Sequence, residues 1–99
     1  MIKHIVLFSL KAAHGLTKVQ AANKIKNHLD SLPNQIPQIK KFETGIDIIK
    51  SERSFDLALV SEFENLADLE IYQKHEAHCK VVEIIALYKM SAVAVDYQF

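Results

Sequence analysis

Two stretches of this chain hold side chains able to move protons. Tyr72-Gln73-Lys74-His75-Glu76-Ala77-His78 brings a tyrosine and two histidines within two helical turns, and His4 sits in the apolar run Lys3-His4-Ile5-Val6-Leu7-Phe8. An imidazole titrates near neutral pH and can take a proton from carbon or oxygen, while a tyrosine hydroxyl can hold or polarise its partner. A histidine in a strand that otherwise reads as buried must find a hydrogen-bond partner. Tyr72 and His78 are the candidates, and their meeting with His4 would make a polar spot in an apolar interior. The competing reading of His4 is a neutral imidazole that hydrogen-bonds across the core and fixes the second helix. His78 is the partner of His4 or a structural residue bonding backbone groups at a helix break. His75 reads as a turn residue capping the helix that ends there. Tyr72 is spaced helically from Leu66 and Leu69 and reads as core, with its hydroxyl reaching His4.

Composition narrows the rest. With 12 Lys+Arg against 12 Asp+Glu the net charge is +0, which offers no electrostatic footprint for nucleic acid or an acidic membrane. The 99 residues fit one domain, residues 1–99. Cys79 is the single cysteine, so no intramolecular disulfide can form and a reducing, cytoplasmic setting is expected. Beside an apolar helix face Cys79 itself reads as a small core residue. The N-terminal apolar stretch is closed by Lys11 and is too short for a secretory core, and no run approaches the roughly 20 residues of a spanning helix.

The elements that must position these residues follow from periodicity. His4, Val6, Phe8 and Leu10 alternate with Ile5 and Leu7, so residues 2–10 form a strand apolar on both faces. Thr17 with Gln20 has capping-box spacing and opens a helix whose buried stripe is Ala22, Ile25, Leu29 and Leu32. His28 beside that stripe and His14 in the preceding loop read as surface. Pro33 and Pro37 end the helix. Residues 39–49 and 55–63 read as a hairpin of strands around a polar loop at 50–54, with Gly45 marking a bulge or close approach. Asn65 caps a second helical region whose Leu66, Leu69 and Tyr72 face inward. Its pattern falters near His75, a kink or break, and resumes with Val81, Val82, Ile84, Ile85 and Tyr88. Residues 90–99 close the chain as a strand, with Ala92, Ala94 and Asp96 alternating against Val93, Val95 and Tyr97.

The order β-α-β-β-α-β is the ferredoxin-like arrangement of an α+β domain, a four-stranded antiparallel sheet with helices on one face. Its other face also carries large apolar residues, and an exposed apolar patch of that size predicts burial against a second copy as a homodimer.

Four pieces in this order carry a resemblance: Ile2-Lys3-His4-Ile5-Val6-Leu7-Phe8, Ser54-Phe55-Asp56-Leu57-Ala58-Leu59, the Tyr72 to His78 stretch, and Val95-Asp96-Tyr97. Together they resemble the stress-responsive A/B barrel domain family over essentially the whole chain. The resemblance implies a homodimeric α/β barrel with a cavity between each sheet and its own helices. It also implies a site, since a plant polyketide cyclase of this family lines its cavity with a first-strand histidine, a helix tyrosine and the second histidine of a His-x-x-His motif. Those roles fall here on His4, Tyr72 and His78 as catalytic residues. Val6, Phe8, Leu57 and Leu29 are the expected ligand-binding residues. Leu57 stands where the cyclase has a further histidine, Leu29 roughly where it has a tyrosine, and Glu76 where proline is usual. The cavity implied is smaller or drier, and suits a small apolar organic ligand.

Three function classes therefore stand. The first is a small-ligand binder with proton-transfer or isomerase-type chemistry needing no cofactor. The second is a non-catalytic stress-related protein acting through stable self-association. The third is a cofactor-free oxidative or degradative enzyme of the related dimeric barrels. A metal site on His75 and His78, with Glu76 or His4 as third ligand, is disfavoured because a break near His75 would spoil the spacing. No nucleophile elbow, phosphate loop or dinucleotide fingerprint is present.

Overall fold

In the computed structural model, which describes residues 1–99, the elements run β1 (Ile2–Leu10), α1 (Lys18–Asp30), β2 (Ile39–Ile46), β3 (Leu57–Phe63), α2 (Leu66–Lys74), α3 (Glu76–Ala86) and β4 (Lys89–Gln98). A 3-10 turn, Leu32–Asn34, follows α1. The strands form one antiparallel sheet in the order β2-β3-β1-β4, and the helices cover one of its faces. This is the expected ferredoxin-like subunit, with its second helix divided in two. No helix is long and apolar enough to cross a membrane.

Local chemistry sets the element ends. The Thr17 hydroxyl accepts the Gln20 amide at 3.1 Å and the Gln20 side chain accepts the Thr17 amide at 2.9 Å, the reciprocal pair that starts α1. Asn65 accepts the Asp68 amide at 2.9 Å and starts α2. β2 ends at Ile46 rather than Ile49, because the Asp47 carboxylate accepts the Lys50 amide at 2.6 Å and bends the chain out of the sheet. Ile48 and Ile49 are then left in solvent. β3 starts at Leu57 rather than Phe55. Asp56 just before it still bonds both neighbouring backbones, its amide to the Phe8 carbonyl at 2.8 Å and its carbonyl to the Asp47 amide at 3.0 Å, while one carboxylate oxygen accepts the Leu10 amide at 2.7 Å and the other lies 3.2 Å from the Lys18 ammonium.

The core lies between the helices and the inner face of the sheet, where Phe8, Leu10, Leu57, Leu59 and Phe63 meet Ala21, Ala22, Ile25 and Leu29 of α1 and Val81 and Ile85 of α3. Three expectations are corrected. Leu66, the first residue of α2, is largely exposed, because only Leu69 and Tyr72 of that helix turn inward. Cys79 is exposed, since the buried stripe of α3 runs through Val81 and Ile85 and a residue two positions before Val81 falls about 200° away. Gly45 pairs regularly with Ala58 and has open space around it; the bulge of β2 lies at Ile39/Lys41.

The outer face of the sheet carries Ile5, Leu7, Ala58, Val60, Val93, Val95 and Tyr97, matched across strands as Ile5 with Val60 and Val95, and Leu7 with Ala58 and Val93. No element of the chain covers it, and Val93 and Val95 are half exposed. β4 is an edge strand, exposed along its whole length.

Candidate active site

β1, β3, α1, α2, α3 and the start of β4 enclose a cavity of about 210 Å³ between sheet and helices. Its walls are largely apolar: Val6, Phe8 and Leu59 from the sheet, Leu29 from α1, and Val81, Val82 and Ile85 from α3. The remaining lining residues, His4, Tyr72, Gln73, His78 and Lys89, carry polar groups.

His4 is buried in the middle of this surface, at 7% exposure. Its Nδ1 hydrogen-bonds the carboxylate of Asp96, which stands opposite it in the β1–β4 ladder. Residues paired across an antiparallel ladder project to the same face, so the register delivers the carboxylate to the ring. A carboxylate only accepts, so Nδ1 carries the proton and Nε2 holds the free lone pair of the neutral ring. Ser61, fully buried, donates to the His4 carbonyl at 3.2 Å and holds the strand from behind.

Tyr72 is completely buried among Phe63, Phe42, His4 and His78, with ring centroids 4.9, 6.3, 6.3 and 4.5 Å away respectively. Its hydroxyl makes no hydrogen bond within the protein. The expected Tyr72–His4 hydrogen bond is therefore absent, although the two rings meet edge to face with centroids 6.3 Å apart. Burial pushes the Tyr72 hydroxyl well above its ordinary pKa, which keeps it a neutral donor.

The break between α2 and α3 fixes His78. His75 sits between the helices in an extended conformation, and its Nδ1 accepts the Ala77 amide at 3.0 Å. Its own amide reaches the Tyr72 carbonyl at 3.2 Å, so His75 both closes α2 and caps α3. One turn on, the His78 Nδ1 donates to the Gln73 carbonyl at 3.0 Å, leaving its Nε2 unprotonated when the ring is neutral. Burial holds the His78 pKa below the ordinary histidine value, the charges of His4 and His75 add to this, and the Gln73 carbonyl opposes it. No three histidine, cysteine, aspartate or glutamate side chains converge to hold a metal ion.

Of the residues expected at the site, His4, Tyr72, His78, Val6, Phe8 and Leu29 line one cavity, whereas Leu57 is packed in the core away from its lining. Asp96, Gln73 and Lys89 were not foreseen. Asp96 had a signal, an acidic residue at an alternating position of the last strand, but pairing it with His4 needs the register. The arrangement combines an imidazole held in one tautomer by a carboxylate with an unengaged hydroxyl donor, the elements of general acid–base chemistry on a carbonyl compound.

No curated protein matches the chain. Among solved structures it is similar to a dimeric protein of unknown function and ferredoxin-like fold from Bacteroides fragilis, at 37% identity and a TM-score of 0.87 over 99% of this chain and 95% of that one. A dimeric ferredoxin-like protein of unknown function from Thermobifida fusca is 28% identical, with a TM-score of 0.84 over 99% and 90%. A hydroxynitrile lyase from Passiflora edulis, 20% identical with a TM-score of 0.79 over 97% and 90%, shares the fold. Residues 2–99 match the family described as the Stress responsive A/B Barrel Domain, and the chain belongs to that family.

Proposed function

We propose that this protein binds a small, largely apolar carbonyl compound in the cavity between sheet and helices and moves a proton on it, using its side chains alone. The observation that carries this reading is the Tyr72 hydroxyl, buried beside two histidines with nothing to donate to. A buried polar group without a partner costs stability, and a ligand oxygen in the cavity would satisfy it. A cavity of about 210 Å³ is somewhat larger than the ~150 Å³ apolar cavity known to hold benzene, which suits a molecule of one ring with a short side chain.

In the proposed step, His4 Nε2 takes a proton from the carbon next to the carbonyl. The C–H electron pair moves into the enolate, whose oxygen accepts a hydrogen bond from the Tyr72 hydroxyl. Asp96 keeps His4 in the tautomer that leaves Nε2 free, as the buried aspartate does in the serine-protease triad. Return of the proton to the same carbon gives exchange, and to another carbon gives isomerisation. His78, whose neutral form burial favours, accepts from the ligand or relays the proton.

The working unit in this reading is a homodimer that buries the outer sheet faces, supported by the bare apolar surface and by the dimeric description of the 37% identical Bacteroides fragilis protein. The lone cysteine fits a reducing compartment such as the cytoplasm. A second reading, stable self-association without catalysis, draws on the His4–Asp96 pair, which ties the edge strand β4 to β1.

Exchange of the α-protons of phenylacetone in D2O, followed by proton NMR, separates these readings. The wild type is expected to accelerate exchange over buffer by about a hundredfold or more. His4→Gln is expected to return it to the buffer rate with the dimer intact. Unchanged exchange in His4→Gln would remove His4 from the mechanism, and loss of folding in that variant would favour the structural reading.

A further inference from the structure

The mouth of the cavity carries one feature that acid–base chemistry does not use. Lys89 is the only lysine, arginine, aspartate or glutamate on the lining. Lysines 3, 18, 26, 74 and 80 are paired with carboxylates of the chain; Lys89, like lysines 11, 24, 40, 41 and 50, makes no ion pair, and of these unpaired lysines it is the one on the cavity lining. Its position is built by an irregularity in the sheet. Phe8 pairs with Ala92 and Ser9 with Ser91, so a regular ladder would set Met90 opposite Leu10 and turn Lys89 to the outer face. The register shifts between Ser9 and Leu10, and Leu10 pairs with Lys89 instead. The shift reverses the alternation for the first residue of β4 and brings Lys89 to the face of Leu10, Phe8 and His4. Bulges next to binding sites commonly re-aim a side chain in this way.

The cavity thus follows β1 from His4 through Val6 and Phe8 toward Lys89, with the neutral donor Tyr72 at one end and a free cation at the other. Asp96 lies seven residues further along β4, on the order of 24 Å away in an extended strand and beyond the Debye length of about 10 Å at 0.1 M salt. It therefore does not neutralise Lys89. We infer that the ligand is an organic acid, with an apolar body in the cavity and a carboxylate held at the mouth by the Lys89 ammonium. This rests on the cavity being a binding site and adds the charge of its ligand.

The test is titration calorimetry at pH 7 and low salt with 3-phenylpropionate and its neutral isostere 3-phenylpropanamide, on wild type, Lys89→Met and Lys89→Arg. Wild type is expected to bind the acid about three- to fivefold more tightly than the amide, the range for a pair at an accessible rim. Lys89→Met should lose the preference while still binding the amide, Lys89→Arg should keep it, and 0.5 M salt should shrink it. Equal binding of acid and amide by wild type, or a preference that survives in Lys89→Met, overturns the inference and leaves the cavity reading standing. Failure of wild type to bind either compound overturns both.

Discussion

The His4–Asp96 pair makes the rate sensitive to a residue that need not touch the ligand. Asp96 is a positioning residue, so Asp96→Asn is expected to slow α-proton exchange by about a hundredfold while ligand affinity changes little, because an amide can also stabilise the wrong tautomer. Comparing the calorimetric affinity with the exchange rate in that variant checks the split. His78 predicts a pH effect of definite sign. Burial lowers its pKa in the fold, so the unfolded chain takes up the proton first as pH falls below about 6.5. The contribution is present above that pH and is lost as pH falls through the folded value. Urea unfolding at pH 7.5 and 5.5 should show a smaller acid-side loss in His78→Gln than in wild type. The presence of a site was legible at this scale, since a histidine in an apolar strand and a tyrosine at helical spacing both demand polar company. The pairing was not. Asp96 is 92 residues from His4 and reaches it only through the β1–β4 register, and Lys89 comes to the cavity face of the sheet only because of a bulge.

The break between α2 and α3 shows how one side chain shapes an element and the site together. The His75 imidazole takes the role usual for serine or aspartate at a helix start, and it sets the direction from which His78 meets Tyr72. His75→Ala is expected to cost about 1 kcal/mol, and His75→Asn to recover most of it, read from urea midpoints. The faltering hydrophobic pattern around residues 75–77 announced this break, as Thr17 with Gln20 and Asn65 announced the helix starts. The ends of β2 and β3 were hidden. Ile46, Ile48 and Ile49 continue an apolar pattern, and the bend that ends the strand is made by hydrogen bonds of Asp47 and Asp56, to which hydropathy is blind. Leu57 went astray for a related reason. Strand alternation assigns it correctly to the inner face, but says nothing of how far along that face the cavity extends.

At the scale of the molecule, the two apolar faces of β1 were readable from alternation, and they dictate a sheet with helices on one side and an unmet surface on the other. Val95 lies opposite Ile5 on that outer face. Val95→Glu is expected to convert a dimer to a monomer in light scattering, with the cavity-side core unaltered; a dimer that persists would place the association surface elsewhere. The central claim is that the cavity is built for a ligand oxygen at Tyr72, and thermal unfolding of wild type and Tyr72→Phe, each with and without phenylacetone, whose carbonyl supplies that oxygen, tests it most directly. Removing a buried hydroxyl that has no partner should leave the melting temperature unchanged or raise it, while the ligand-induced rise seen in wild type should largely disappear. A Tyr72→Phe protein that melts lower than wild type, yet shows the same ligand-induced rise or neither protein any, would contradict the account and make Tyr72 a structural residue of the core.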